Sequence, residues 1–275
     1  LTNKSATSPT PTLGQEAILT LTDLLANGQG VGRAGGMVVF VTGALPGERV
    51  RVRISSVKAN YAVGELIDIL QRSPERTEPF CPVFGACGGC QVQHLVYPAQ
   101  LRWKRNIVAS AFRRIGGVDV DVAETIGMIH PHAYRNKMSL VVEERPGERY
   151  AVGFYQPRSH DVVPIEACPI VLPQLDGYVR NLAALARSRG AAQVLRGVRH
   201  IVARAGRALG QAVVSLTTER PAEHLDRMAA QLVLLLPGVV GIQNSFEPAS
   251  QNAVMGRRQR TIWGEPEMEE EIEGI

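Results

Sequence analysis

A chain of 275 residues, 45% of them hydrophobic, is long enough for two domains with sizeable cores, and it contains no apolar run able to span a membrane. Its net charge of +4 is uneven: six glutamates and no base lie in residues 265–275, leaving 30 bases against 20 acids in residues 1–264. A basic body of that kind favours a polyanionic partner, nucleic acid first, although surface charge also serves plain solubility.

Residues 1–12 (LTNKSATSPTPT) are polar, carry no secretory signal and read as a disordered tail, so a cytoplasmic protein is expected. Residues 13–72 read as a compact β domain. Ala17–Leu21 alternates weakly, Met37–Thr42 is β-branched and apolar, Val50–Ser55 alternates with period two, and Ala62–Leu70 completes the set. Short strands between glycine turns predict a five-stranded barrel of the oligonucleotide-binding type. Val50, Val52 and Ile54 then face the core, and Arg49, Arg51 and Arg53 form an outward basic row. Such a row suits a phosphate backbone or, equally, a solvated strand face. Gly28, Gly30, Gly32, Gly35 and Gly36 run into a strand, so they are not a dinucleotide fingerprint but turn or bulge glycines.

Residues 73–264 read as a mixed α/β domain. After a proline-containing connector and a cysteine cluster, Pro98–Ile115 is a helix with an apolar stripe of Leu101, Val108, Ala111, Phe112 and Ile115. It carries five bases, Lys104 among them, and no acid; one part suits RNA and another a neighbouring domain, or the whole is a plain surface helix. Strands follow at Lys137–Glu143 and Arg149–Tyr155. Arg135, Lys137, Arg158 and His160 interleave with Phe154 and Tyr155, which combines phosphate contacts with stacking faces for looped RNA. Leu175–Arg187 and Leu225–Leu236 have helical spacing. Val198–Arg204 and Gln211–Thr218 form a hairpin across Gly206–Gly210, and Val239–Asn244 is a buried strand.

Three of the four cysteines lie in Cys81-x5-Cys87-x2-Cys90, and Cys168 follows 78 residues later. In a reducing compartment they argue for a metal site rather than disulfides. Structural zinc sites pair two short knuckles, and only one is present; a cluster of three with a distant fourth, in two Cys-Pro pairs, favours an iron–sulfur cluster. On spacing alone zinc stays open, as do buried cysteines without a ligand.

Taken together, these motifs resemble the iron–sulfur branch of the RNA (uracil-5-)-methyltransferases, which act on 23S ribosomal RNA and, in relatives, on tRNA. Gly30-Val-Gly32, Phe40-Val41, Leu45-Pro46-Gly47-Glu48 and Leu66–Arg76 are similar to the family's RNA-binding TRAM barrel. The cysteine motif with Gln91, His94 and Gln100-Leu101-x2-Lys104 resembles its cluster loop and helix. Tyr134–Met138, Gly153-Phe154-Tyr155, Ser159-His160 and Cys168-Pro169 resemble its central domain.

The resemblance implies that Cys81, Cys87, Cys90 and Cys168 hold one [4Fe-4S] cluster, structural in role, clasping the loop to the Cys168 segment. It also implies a mechanism in which a cysteine thiolate adds to C6 of a flipped-out uridine. C5 then takes the methyl of S-adenosylmethionine, and a carboxylate removes the C5 proton. The sequence departs from that pattern: it has no fifth cysteine and no strand–glycine turn–helix unit. In the family both belong to a C-terminal Rossmann-like domain. The expectation is therefore a truncated chain, inactive alone, with no catalytic or S-adenosylmethionine residue of its own. In that reading residues 265–275 are an acidic linker, and the helix at 98–115 leaves its stripe exposed where the catalytic domain would pack. The expected partner is RNA, and the expected state a monomer. The alternative is a stand-alone RNA-binding module with a structural four-cysteine metal site and no catalysis. A radical methylthiotransferase, with C-x3-C-x2-C and the barrel at the other end, fits less well.

Overall fold

The computed structural model describes residues 10–147, 149–250 and 253–271; residues 1–9 of the expected tail and the last four of the acidic stretch lie outside these. The chain divides into two units. Leu1–Phe80 joins Cys90–Met128 in the first, and Cys81–Gly89 joins Ile129–Ile275 in the second, so the division differs from a simple cut at residue 72.

The first unit is a six-stranded sheet: β1 (Glu16–Thr20), β2 (Asp23–Leu24), β3 (Gln29–Ala34), β4 (Met37–Thr42), β5 (Arg49–Val57) and β6 (Tyr61–Gln71), ordered β1-β5-β6-β4-β3-β2. This corrects the expected five strands. The additional strand, β3, is the glycine stretch that reads as turns. A Cβ on Gly30 would lie 2.7 Å from the Ala44 carbonyl oxygen, and one on Gly32 would lie 3.1 Å from that of Thr20. The glycines thus let a strand pass against neighbouring backbone where no side chain fits. In β5 the alternation holds: Val50, Val52 and Ile54 are buried with Leu19, Leu21, Val39 and Val41, while Arg49, Arg51 and Arg53 point outward. Three register shifts between β5 and β6 bend the pair around this core.

The same unit contains α1 (Tyr97–Arg114), which starts with proline in its first turn. Its Ala99 and Trp103 pack with Leu24, Leu45 and Leu95, and the Trp103 indole N–H donates to the Leu24 carbonyl at 3.1 Å. The opposite stripe is bare: Val108 is 44%, Phe112 47% and Ile115 88% exposed, with Leu101 half-buried.

The second unit is a seven-stranded sheet: β7 (Lys137–Arg145), β8 (Arg149–Tyr155), β9 (Val162–Pro164), β10 (Val198–Ala205), β11 (Ala212–Thr218), β12 (Val239–Pro248) and β13 (Gly256–Gly264). The order is β13-β12-β11-β10-β7-β8-β9, with only β11 and β12 parallel. One face packs against α2 (Pro173–Arg187), α3 (Ala191–Leu195), α4 (His224–Arg227) and α5 (Ala229–Leu235). Leu175, Val179 and Leu182 of α2 meet Met138, Leu140 and Val142 of β7 in that core, as 3.6- and 2-residue periods require. The predicted single helix over 225–236 is broken at Met228, whose φ of −96° and ψ of 1° close α4 and open α5. Buried Asn244 ties the β11–β12 crossover: its amide donates to the Leu216 carbonyl and the Thr218 hydroxyl, and its oxygen accepts from the Ala222 N–H. The edge strand β13 escapes the sequence pattern because arginines, not alternating apolar residues, line it, as edge strands tolerate.

Among the described residues no helix is long and apolar enough to cross a membrane.

Candidate nucleic-acid interface

In the first unit the outward row of β5 is partly neutralised. Arg51 pairs with Asp68 across β6 at 3.4 Å, and Arg53 pairs with Glu16 of β1 at 3.3 Å. Such exposed pairs contribute between zero and about 1 kcal/mol, so they bind weakly and yield to a competing phosphate. Arg49 makes no ion pair among the described residues and is the open member of the row. The bases of α1 are treated likewise by acids outside the helix. Arg102 pairs with Glu75, Arg105 with Asp121 and Arg113 with Asp119, whereas Lys104 stays exposed without such a partner. Between α1 and the Asp23–Ala26 segment lies a cavity of about 280 Å³, lined by Leu24, Trp103, Asn106 and Arg114 among others.

Beneath this surface lies a buried ion pair. The fully buried Glu48 carboxylate accepts from Arg76 Nε at 2.6 Å and Nη2 at 2.8 Å, and from the N–H groups of Leu45 at 2.9 Å and Ser73 at 3.3 Å. Burial alone would raise its pKa, but the Arg76 charge and the four hydrogen bonds outweigh burial and hold it below the ordinary carboxylate value. Arg76 also donates to the Gly43 carbonyl at 2.6 Å, so one guanidinium locks the β4–β5 turn to the segment after β6. His94 beside them is 2% exposed; burial, and then the Arg76 charge, push its pKa down to about 4, so it is neutral near pH 7. The sequence shows Glu48 and His94 as motif positions, not as members of a buried electrostatic knot, because Arg76 arrives from 28 residues away.

In the second unit the face of the sheet away from the helices is polar. Register places Lys137 opposite Arg204, Ser139 opposite Val202, and Val141 opposite His200. Beyond them Ser215 meets Gln243, and Thr217 meets Ser245. Tyr155 lies on this face, with the His160 ring edge-on at 5.2 Å and that of His200 at 6.5 Å. His200 is buried, which together with Arg199 lowers its pKa. Phe154 points the other way and packs on the hydrophobic core, since adjacent strand residues take opposite faces. Arg158 is exposed in the β8–β9 turn, with a left-handed φ of 60°. Arg135 is exposed while its backbone is fixed to Ile170 and Leu172. The structure thus brings Lys137, Tyr155 and His160 to one face and sets Phe154 apart.

None of the four cysteines is in a disulfide. Cys81 and Cys87 lie in the second unit with Cys168, and Cys90 is assigned to the first. The loop is anchored by Gly88, whose N–H donates to the Tyr155 carbonyl at 2.9 Å, and Cys168 N–H donates to Asp176 at 2.6 Å. Four thiols are the donor chemistry of a metal or cluster site. Among the described residues no group of three His, Cys, Asp or Glu is arranged to hold a metal ion.

Residues 12–67 match the TRAM domain family. The first unit carries a TRAM domain. The matched stretch covers β1 to β5 and β6 up to Ile67. Across the chain, an uncharacterized RNA methyltransferase of Halalkalibacterium halodurans is 37% identical over 258 residues, covering 90% of this chain and 55% of that protein. An uncharacterized RNA methyltransferase of Listeria innocua is 35% identical over 271 residues, covering 95% and 58%. The chain spans little more than half the length of these curated relatives. In fold it is similar to the tRNA (uracil-54, C5)-methyltransferase of Pyrococcus abyssi, solved with S-adenosyl-L-homocysteine. That match has a TM-score of 0.60 and 19% identity and covers 90% of this chain and 55% of that one. RNA methyltransferase relatives account for nine-tenths of this sequence, TRAM domain and second sheet together.

Proposed function

We propose that this chain acts in S-adenosylmethionine-dependent methylation of uracil C5 in RNA, with 23S ribosomal RNA as the substrate. The observation that carries the reading is the 37% identity to an RNA methyltransferase through the TRAM domain and the second sheet alike. Arg49 and Lys104 of the first unit, and Arg135, Lys137 and Arg158 of the second, contact phosphates; Tyr155 and His160 offer ring faces to an unstacked base. S-adenosylmethionine supplies the methyl group when bound. The glycine-rich stretch at 28–36 lies in and between the strands β3 and β4 rather than between a strand and a helix, so it does not fit that cofactor, and no residue here is assigned to it.

The test is RNA binding followed against salt, alongside transfer of labelled methyl groups from S-adenosylmethionine to unmodified 23S ribosomal RNA and tRNA transcripts. Salt-sensitive binding is expected, and replacing Arg135 or Lys137 by Ala should reduce the slope of log K against log salt by about 0.7 each. Binding that is absent, or indifferent to salt, overturns the reading. Transfer to tRNA alone replaces the substrate, in line with the substrate of the Pyrococcus abyssi protein.

For the cysteines we propose four thiolate donors to one [4Fe-4S] cluster, supported by their spacing and by their freedom from disulfides. Protein purified without oxygen should contain iron and inorganic sulfide and lose both in Cys168→Ser. Stoichiometric zinc with no sulfide refutes it.

A further inference from the structure

The turn between β10 and β11 already holds an anion. The Glu270 carboxylate accepts from the Arg207 N–H, at 3.0 and 2.9 Å to its two oxygens, and from the Ala208 N–H at 3.1 Å. Gly206 opens the turn and leaves the space that the carboxylate enters, since a Cβ there would lie 2.7 Å from Glu270 Oε2. Two successive backbone N–H groups aimed at one anion form a concave site that takes phosphate as readily as carboxylate. Arg204, near the end of β10 that leads into this turn, is basic, and so is its neighbour at the start of β7. Lys137 and Arg204 are register partners, both are exposed, and neither makes an ion pair among the described residues. Like charges directly opposite each other on a sheet repel, and an anion lodged beside them relieves that repulsion.

We propose that the Arg207 and Ala208 amides, with Lys137 and Arg204 beside them, bind a phosphate of the RNA, and that Glu270 occupies the site in the free chain as a phosphate mimic. The proposal rests on the RNA-binding reading above and adds a defined phosphate position and an internal competitor for it. The segment bearing Glu270 is tied independently upstream. Glu265 N–H donates to the Val240 carbonyl at 2.9 Å, and the Gln243 amide donates to the Pro266 carbonyl at 2.8 Å. Glu270 can therefore leave the turn, together with the Glu269 N–H that donates to Gln211 Oε1, while β13 keeps its place.

The experiment compares the parent chain with Glu270→Ala in two assays. In the first, inorganic phosphate is titrated while the amide resonances of Arg207 and Ala208 are followed. Saturable shifts are expected in the variant and much smaller ones in the parent. In the second, RNA affinity should rise about two- to tenfold in Glu270→Ala, the scale of a few weak hydrogen bonds. The salt slope should steepen by about 0.7, one single-strand phosphate. Lys137→Ala and Arg204→Ala in the Glu270→Ala background should cancel the gain. Amides that ignore phosphate in the variant, or respond equally in both proteins, overturn the anion site. Amides that respond while RNA affinity stays unchanged overturn its assignment to RNA. Loss of all RNA binding in both proteins would instead sink the RNA reading, and the phosphate titration would still decide the turn.

Discussion

Replacing Arg76 by Met breaks the buried ion pair of the first unit. In the parent chain the buried Glu48 carboxylate accepts four N–H groups, two of them from the Arg76 guanidinium. The variant leaves a wholly buried carboxylate with the two backbone donors of Leu45 and Ser73. Removing one partner of a buried pair costs about 3–5 kcal/mol, a large share of the 5–15 kcal/mol that holds a typical domain together. Protonation of Glu48 limits that cost, because without Arg76 burial raises its folded-state pKa above the unfolded value. The stability deficit of the variant should therefore shrink as pH falls from 7 toward 4.5, where a protonated Glu48 is favoured. A second substitution, Glu48→Gln, removes the charge and should recover 1–4 kcal/mol of the loss. Urea unfolding in a Trp263→Phe background reads the TRAM-containing unit alone, because Trp103 is then the remaining tryptophan and packs against Leu24. A loss below about 1 kcal/mol in Arg76→Met, or a deficit that does not change between pH 7 and 5, refutes the reasoning.

His94 should make the same unit acid-sensitive well above the carboxylate range. Its folded pKa of about 4 lies below the unfolded 6.5, so the unfolded chain binds a proton that the folded chain refuses, and stability falls as pH drops through that window. The loss is on the order of 3 kcal/mol by pH 4, and His94→Gln should flatten the curve between pH 6.5 and 4.5; an unchanged curve places the acid sensitivity elsewhere. Gly30→Ala should destabilise by about 1–3 kcal/mol, since its Cβ meets the Ala44 backbone, whereas Gly36→Ala carries only the cost of a left-handed φ of 80° with open space around it. Equal losses at the two positions, measured by the same urea assay, would remove the close-approach argument for β3.

The fold was legible wherever side chains alternate with a clear period. Val50–Ile54 declared both its strand and its buried face, Lys137–Glu143 its strand, and Leu175–Arg187 its helix. It was illegible where close packing of backbone, or the absence of a core face, decides the structure. Gly30 and Gly32 read as turn residues because a strand squeezed against Ala44 and Thr20 has the same composition as a loop. Edge strand β13, with Arg257, Arg258 and Arg260, carries no apolar signature. The break at Met228 has no proline or glycine to announce it.

The candidate interface was legible in its residue types and obscure in its charge balance. A window over α1 counts five bases and no acid, yet Glu75, Asp119 and Asp121 are brought back to three of those bases by the fold. The same happens to Arg51 and Arg53 through Asp68 and Glu16. Counting charge along the chain therefore overstates how much positive surface is open, and among the described residues Arg49, Lys104, Lys137 and Arg204 are some of the positions left without an ion pair. Two of these, Lys137 and Arg204, face each other across β7 and β10, and β10 leads on into the turn that already grips a carboxylate. Exposed ion pairs are weak enough to open, so Arg51 and Arg53 form a reserve that a phosphate backbone can recruit. A ligand with many phosphates gains at both kinds of position. A single carboxylate or a small anion gains only at the second, which is why the polyanion reading survives a fold that neutralises half of the bases first counted for it.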